Sequence, residues 1–373
     1  MSPWLGVAAV SAALLGVTWV LYPWLAIRRG DRRPPAPAGD PEWRPMVSVV
    51  LATREPADAV AIRLRDLLAT SWPAEHLEIV VAVDGDPASH EYASLGGGRV
   101  PIRVTGTGRP GGKAAALNVG VAAATGEVIV FADTAQRFQA DAIPRLVAAL
   151  GGTPFVAVSG ALRLGAGGEE TPVGRYWALE RRLREAEARV HSTIGVTGAI
   201  WAMRRQAWAP LPAGLILDDL WTPLRLALGG QRVGFVPGAV ATDSRPASAG
   251  QEYRRKVRTL SGNFQLLAWM PAVLRPWRNP VWVAFVCHKV LRLATPWAVL
   301  GLGLGLAGAG LRTWPHLAPA AGAALLAAAL AVAVLPGQPG RRTRGAVRWF
   351  LAMQGALVMA SWNGLRGRWN VWE

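Results

Sequence analysis

Four carboxylates in this chain stand at three places just after apolar runs. Asp84 follows LEIVVAV (77–83), Asp133 follows EVIVFA (127–132), and the pair Asp218-Asp219 follows Leu215–Leu217. A carboxylate at the edge of a sheet can accept hydrogen bonds from a ribose or nucleobase, hold a hard cation such as Mg2+, or take a proton from a hydroxyl. Between them, GRPGGKAAALN (Gly108–Asn118) sets glycines and Lys113 at the start of a helical stretch. There, backbone N–H groups and the helix dipole favour an anion, and a diphosphate is the natural guest. The segment is not a Walker loop, because the spacing GxxxxGK[ST] is not met and Ala114 follows Lys113. Each feature also has a plainer reading: Asp84-Gly85 as a turn, Asp133 as a helix cap, Asp218-Asp219 as first-turn acids, the glycine loop as an ordinary helix start. QEYRRKVR (251–258) reads either as a basic helix face on a membrane surface or as Gln251, Arg254 and Arg255 placed over a departing diphosphate.

The elements that must position these groups are short and alternate. VSVVLA (47–52), LEIVVAV, PIRVT (101–105) and EVIVFA read as buried strands of a largely parallel sheet, separated by helical stretches near Ala57–Ala69 and Lys113–Ala124 and followed by Ala140–Leu150. Such alternation predicts a doubly wound α/β domain, whose ligands sit beyond the carboxyl ends of the strands. Thr53, Arg54 and Glu55 close the first strand at that edge.

The ends of the chain differ from its middle. Of 373 residues 51% are hydrophobic and mean hydropathy is +0.24, with the apolar residues concentrated at the two ends. Trp4–Ile27 carries no charge and is followed by Arg28, Arg29, Arg32 and Arg33, which predicts an uncleaved membrane anchor with its N-terminus outside. Further spans are expected at Ala294–Leu311, Leu317–Leu335 and Ala346–Trp362, and an interfacial helix at Pro280–Leu293. The orientation of the last residues stays open, since counting spans and the Arg366/Arg368 charges give opposite answers. The expected division is an anchor over 1–28, a proline-rich linker over 29–45, a cytoplasmic catalytic domain over 46–262, interfacial helices over 263–293 and a membrane region over 294–373. The net charge of +16 clusters beside the apolar segments, suits anionic headgroups and comes with no nucleic-acid-binding module. One cysteine, Cys287, and five scattered histidines leave any metal to oxygen ligands.

Taken in order along the chain, these segments resemble the family 2 glycosyltransferases of the GT-A fold, especially the membrane-bound branch of cellulose, hyaluronan and poly-N-acetylglucosamine synthases. The resemblance implies that Thr53, Glu55 and Asp84 hold the nucleotide, that Lys113 and Asp133 meet the diphosphate, and that Asp133 binds Mg2+ or Mn2+. The family's second metal carboxylate is Ala135 here, with Gln136 beside it. It further implies Asp219 as the base with Asp218 next to it, Thr197 and Gly198 at the acceptor, and Gln251, Arg254 and Arg255 at the donor. The tryptophan of the family's Gln-x-x-Arg-Trp motif is missing, which weakens a polymerase reading. The expected activity is inverting transfer of a sugar from a nucleotide donor, UDP-linked by preference, to a glycan or lipid acceptor at the cytoplasmic face of a multi-pass inner-membrane protein. Transfer to a polyprenyl phosphate, or an inactive membrane subunit with a degenerate fold, are the alternatives.

Overall fold

The computed structural model describes residues 2–37, 39–90, 92, 98–165, 171–243, 249–313 and 337–369. It opens with helix α1, Pro3–Asp31, which contains one π-helical stretch at Val17–Leu21. Two compact units follow from the contacts. One comprises 26–246 and 265–284; the other comprises 1–25, 247–264 and 285–372.

The first unit is built on an eight-stranded sheet: β1 Val47–Thr53, β2 Leu77–Val83, β3 Ile102–Gly106, β4 Val128–Ala132, β5 Arg137–Phe138, β6 Phe155–Leu164, β7 Ile200–Arg204 and β8 Arg232–Asp243. Their spatial order is β3-β2-β1-β4-β7-β6-β8-β5. β3, β2, β1 and β4 are mutually parallel, so the expectation of a parallel doubly wound half holds there. The sheet as a whole is mixed, because β7 runs antiparallel to both β4 and β6, and β5 to β8.

The strands alternate faces with period two, and both faces are covered, which is why they read as largely apolar runs, interrupted in β1 and β2 by the buried Ser48 and Glu78. Val47, Val49 and Leu51, with Ile79, Val81, Val128 and Val130, pack on one side with Leu64 and Leu67 of α2 (Ala57–Leu68). Val50, Val80, Ala82, Ile129 and Phe131 face the other side, against Ala116, Leu117 and Val121 of α3 (Lys113–Ala123). α3 lies very close to the sheet at Gly120, where a Cβ would stand 2.7 Å from Val50 Cγ1 and 2.8 Å from Ala82 Cβ. Phe131 stacks on Trp201 at 3.9 Å between centroids, closing this second core. The remaining helices of the unit are α4 Ala142–Ala148, α5 Pro172–Val190 and α6 Asp218–Leu228.

α7, Ala249–Trp269, links the two units in sequence, followed by α8 Trp282–Leu293, α9 Thr295–Thr313 and α10 Gly337–Leu365. In the second unit α1 and α9 pack through small residues: a Cβ on Gly305 would lie 2.6 Å from the Ala8 nitrogen, and one on Gly301 2.6 Å from Ser11 Oγ. Close backbone approach of this kind is how apolar helices associate without a hydrophobic gradient. Trp19 Nε1 donates to Thr295 Oγ1 at 3.1 Å, and the Arg292 guanidinium lies over the Trp19 ring. Among the described helices, α1 alone is long and apolar enough by itself to cross a bilayer; α8 and α9 qualify only as a pair bent by 61°. The segment expected to span at Ala346–Trp362 lies within α10, which is not among the helices that qualify, and Leu317–Leu335 lies outside the described residues.

Candidate active site

β1, β2 and β4 are parallel and adjacent, so Thr53, Asp84 and Asp133 leave the sheet at one edge. Asp84 N donates to Thr53 O at 2.9 Å, and Thr134 Oγ1 reaches Thr53 Oγ1 at 3.1 Å, which ties the three strand ends together. Glu55 is exposed, and its backbone oxygen accepts from the Tyr92 hydroxyl.

The buried Asp84 carboxylate does not stand open. Its Oδ1 accepts from Gly111 N at 2.7 Å and Gly112 N at 2.9 Å, and Arg54 pairs with its Oδ2. The loop N–H groups read from the sequence as an anion cradle therefore already hold an anion, supplied by the chain itself. Gly112 takes φ +86°, a left-handed conformation in which a side chain is strained. Asp84 is thus a clasp for the glycine loop, and the loop sets the start of α3 and with it Lys113.

Lys113 is the centre of the site. Its Nζ lies 2.9 Å from Asp133 Oδ1 and 3.7 Å from Asp218 Oδ2. Burial works against its charge, but attraction from Asp133, Asp218 and Asp219 outweighs that and holds its pKa above the ordinary lysine value. Behind it, Arg63 of α2 donates from Nε to the Asp133 backbone oxygen at 3.0 Å and pairs with Asp66, fully buried.

Asp218 and Asp219 begin α6, where the helix dipole favours carboxylates. Their approach is fixed by Gln265, fully buried, which accepts from Ile216 N and donates to Gly214 O, both at 2.9 Å. The two acids have different surroundings. Asp218 is buried and its Oδ2 has no hydrogen-bond partner among the described residues. Burial pushes its carboxyl up to about 6; Lys113 opposes this, and Asp219 and Asp133 reinforce it. The folded chain thus holds this proton more tightly than the unfolded chain, so Asp218 takes stability away as pH rises from about 4 to about 6, with a constant cost above. Denaturant unfolding between pH 4 and 7 is expected to show wild type losing about 2–3 kcal/mol relative to Asp218→Asn over that window. Parallel curves would refute this account.

Asp219 faces the loop that follows α5. Val196 N donates to Asp219 O at 2.8 Å, and a Cβ on Gly198 would meet Asp219 Cβ and Oδ2 at 3.4 Å. Thr197 is buried: Ser159 Oγ accepts from its nitrogen at 2.8 Å, and its hydroxyl donates to Gly160 O at 2.9 Å and accepts from Arg184 at 3.2 Å. Thr197 accordingly shapes the loop from inside, whereas Gly198 is the position set against the carboxylate. Gln251, Arg254 and Arg255 lie on the part of α7 that belongs to the second unit, with Arg254 and Arg255 exposed.

For a divalent cation, the site offers Asp133, and Gln136 Oε1 is buried with no hydrogen-bond partner among the described residues. Ala135 adds no ligand, and no group of three or more His, Cys, Asp or Glu among the described residues could cage a metal. One carboxylate, whose Oδ1 is engaged by Lys113, and one amide oxygen make no cage, so a divalent ion here would need most of its ligands from elsewhere, such as substrate phosphates.

Sequence reasoning placed Arg54 at the strand edge without a role and missed Arg63, Ser159 and Gln265. Only Arg63 left a signal, since it shares the helical face of Val60, Leu64 and Leu67.

Residues 48–209 match the family model described as Glycosyl transferase family 2. A mannosyltransferase from Pyrobaculum calidifontis, solved with GDP-Man and Mn2+, is similar at 24% identity and a TM-score of 0.76 over 97% of this chain and 99% of that one. Glucosyl-3-phosphoglycerate synthase from Mycobacterium tuberculosis is similar at 19% identity and a TM-score of 0.41, over 60% and 79% of the two chains. No curated protein matches the chain. At 24% identity the likeness to the mannosyltransferase establishes the fold alone, a GT-A-type mixed α/β sheet.

Proposed function

From the premise that residues 48–209 carry a glycosyl transferase family 2 domain, we propose that the chain transfers a sugar, with inversion, from a nucleoside diphosphate donor to an acceptor hydroxyl. The observation that carries this reading is the cluster at one sheet edge: Lys113 between Asp133 and Asp218, with Asp219 set against Gly198.

In this reading Asp219 is the general base. An acceptor hydroxyl admitted beside Gly198, where there is no side chain, gives its proton to Asp219 as its oxygen attacks the anomeric carbon. Lys113 provides positive charge for the departing diphosphate. Asp218, held near half-protonation at mildly acidic pH, keeps Lys113 in place from the inner side. Asp133, with the donor's phosphates and with Gln136 as a further oxygen donor, would hold a divalent cation, which when bound supplies further neutralisation of the leaving group. Thr53 and Asp84 frame the nucleotide side; Gln251, Arg254 and Arg255 are proposed to meet the donor diphosphate, as the family resemblance implies. Attachment to a membrane is proposed through α1.

The test is nucleoside diphosphate release by detergent-solubilised full-length protein from UDP-, GDP- and dTDP-sugars, with a membrane lipid extract as acceptor and with or without EDTA. Release from one donor is expected; absence of binding and turnover across the panel overturns the reading and favours an inactive subunit.

The clasp adds a separate expectation. Asp84→Ala releases Gly111 and Gly112, so the donor must order the loop as it binds. Losing two charge-assisted hydrogen bonds from the loop is expected to raise the donor KM about tenfold with kcat nearly unchanged. Steady-state kinetics over a donor series would show this; a fall in kcat at constant KM would contradict it.

A further inference from the structure

Between the end of α7 and the start of α8 the chain makes a turn that belongs to the sheet unit, within residues 265–284. Its inner side is core, with Met270, Val273 and Val281 buried. Its outer side is not. Leu274, Arg275, Pro276, Trp277 and Arg278 are exposed in succession, Trp277 to 79%, and Trp269 at the end of α7 is exposed as well. The turn is also clasped from within. Asn279 is buried; it donates from Nδ2 to Val273 O at 2.8 Å and accepts from Val281 N at 3.1 Å, and Trp282 Nε1 donates to Leu274 O at 2.8 Å. Arg278 N and Asn279 N both donate to Arg275 O at 3.0 Å. Ordering a segment costs entropy, and holding an indole in water forgoes its burial. A turn built to do both therefore marks a contact surface.

The charges select the partner. The guanidinium groups of Arg275 and Arg278 have no salt bridge, side-chain hydrogen bond or ring contact among the described residues. From residue 253 to residue 372 the sequence contains no Asp or Glu, so this stretch of chain offers nothing to neutralise them. A docked protein must bring carboxylates to these two points, whereas an anionic bilayer presents negative charge along its whole surface. Indole rings with arginines beside them suit the headgroup layer: the ring lies among glycerol and upper acyl carbons while the guanidinium reaches phosphate. The turn also runs directly into α8 and α9, the apolar pair bent by 61°. We propose that this turn is a lipid-contacting surface of the sheet unit, with Trp277 and Leu274 entering the headgroup layer and Arg275 and Arg278 held by anionic lipid headgroups. The proposal rests on the membrane attachment through α1 and adds to it, since α1 tethers the chain while the turn sets one face of the sheet unit on the lipid.

The test uses full-length protein in nanodiscs of phosphatidylcholine with or without phosphatidylglycerol. In a Cys287→Ser background a nitroxide is attached at Pro276→Cys or, as a control, at Glu75→Cys; both replaced side chains are exposed. Broadening of its spectrum by a water-soluble nickel chelate reads how open each label is. With phosphatidylglycerol present, the label at 276 is expected to be shielded and the one at 75 open. Adding Arg275→Gln with Arg278→Gln should lower the ratio of shielded to open label at 276 by about thirtyfold, the combined attraction of two arginines for an anionic surface. A label at 276 as open as the one at 75, in protein that stays with the discs, would overturn the proposal and leave attachment through α1 standing. Shielding that is the same without phosphatidylglycerol and in the double variant would assign the turn to a protein contact, a second copy of the chain included, and would equally overturn it. Protein that does not stay with the discs at all would refute both the attachment and the proposal.

Discussion

Asp219→Asn is expected to lower kcat for sugar transfer by about 10²- to 10⁴-fold, the range over which a positioned general base acts, while donor binding changes little. The substitution keeps size and polarity at the start of α6 and removes only the ability to accept a proton. Asp218 cannot substitute, because its carboxylate is buried toward Lys113 rather than set against Gly198. Donor affinity should persist because Lys113, Asp133 and the Asp84 clasp are untouched. The measurement pairs single-turnover transfer with equilibrium binding of the donor nucleotide. A rate that survives the substitution points instead to an acceptor that arrives already ionised, such as a polyprenyl phosphate, for which a base is dispensable. A joint loss of binding and rate would show that Asp219 shapes the pocket and would remove it from the chemistry.

Lys113→Met is the second large effect, and it acts on stability and activity together. Among the described residues the ammonium is the only cation within 4 Å of both Asp133 and Asp218. Removing one member of a buried charge cluster costs about 3–5 kcal/mol when burial is complete. Lys113 and Asp133 are each around a third exposed, so about 2 kcal/mol is the expected loss. The sign of its pH dependence follows from Asp218. Without Lys113 the largest influence lowering that carboxyl is gone and only a backbone hydrogen bond still lowers it, so its pKa rises further, and the penalty for ionising it grows at high pH. The variant should be closest to wild type near pH 5 and weakest near pH 8. Catalytically, loss of the charge that meets the leaving diphosphate should reduce kcat/KM by about 10²- to 10³-fold, the usual effect of deleting one electrostatic stabiliser. Urea unfolding at the two pH values, with donor kinetics near pH 7, tests both halves. Unchanged stability at pH 8 would mean that solvent already screens the cluster.

The parallel half of the fold was legible because both faces of β1, β2 and β4 are covered, leaving Val49–Ala52, Ile79–Val83 and Val128–Ala132 as continuous apolar runs with helices between them. β3 was expected at 101–105 and forms at Ile102–Gly106. β7 escaped notice. IWAMR has the composition of a strand, but its antiparallel insertion between β4 and β6 depends on how the chain returns through α5, and no local pattern records that. The site shows the same division. Residue types and their place after apolar runs pointed to Lys113, Asp133 and Asp218-Asp219, and the structure gathers Lys113 with Asp133 and Asp218. The use of Asp84 was not legible, since its partners lie 27 and 28 residues away and satisfy it internally. Gln265 was hidden for a like reason: it reaches 49 residues back to hold the segment before α6. At the membrane ends, the expected anchor Trp4–Ile27 lies in α1 and the expected span Ala294–Leu311 in α9, which qualifies only together with α8 across a 61° bend that composition does not show, while Leu317–Leu335 lies outside the described residues.

The clasp on the glycine loop bears on the order of events during turnover. Because Asp84 already holds Gly111 and Gly112, the loop need not wait for a nucleotide before taking its shape. A departing diphosphate likewise leaves behind a loop that does not collapse. Little conformational entropy then separates the empty enzyme from the loaded one on this side of the cleft. Donor arrival and nucleotide departure can be quick and reversible, and the slow motions of the cycle shift to the acceptor side, where Gly198 and Asp219 meet.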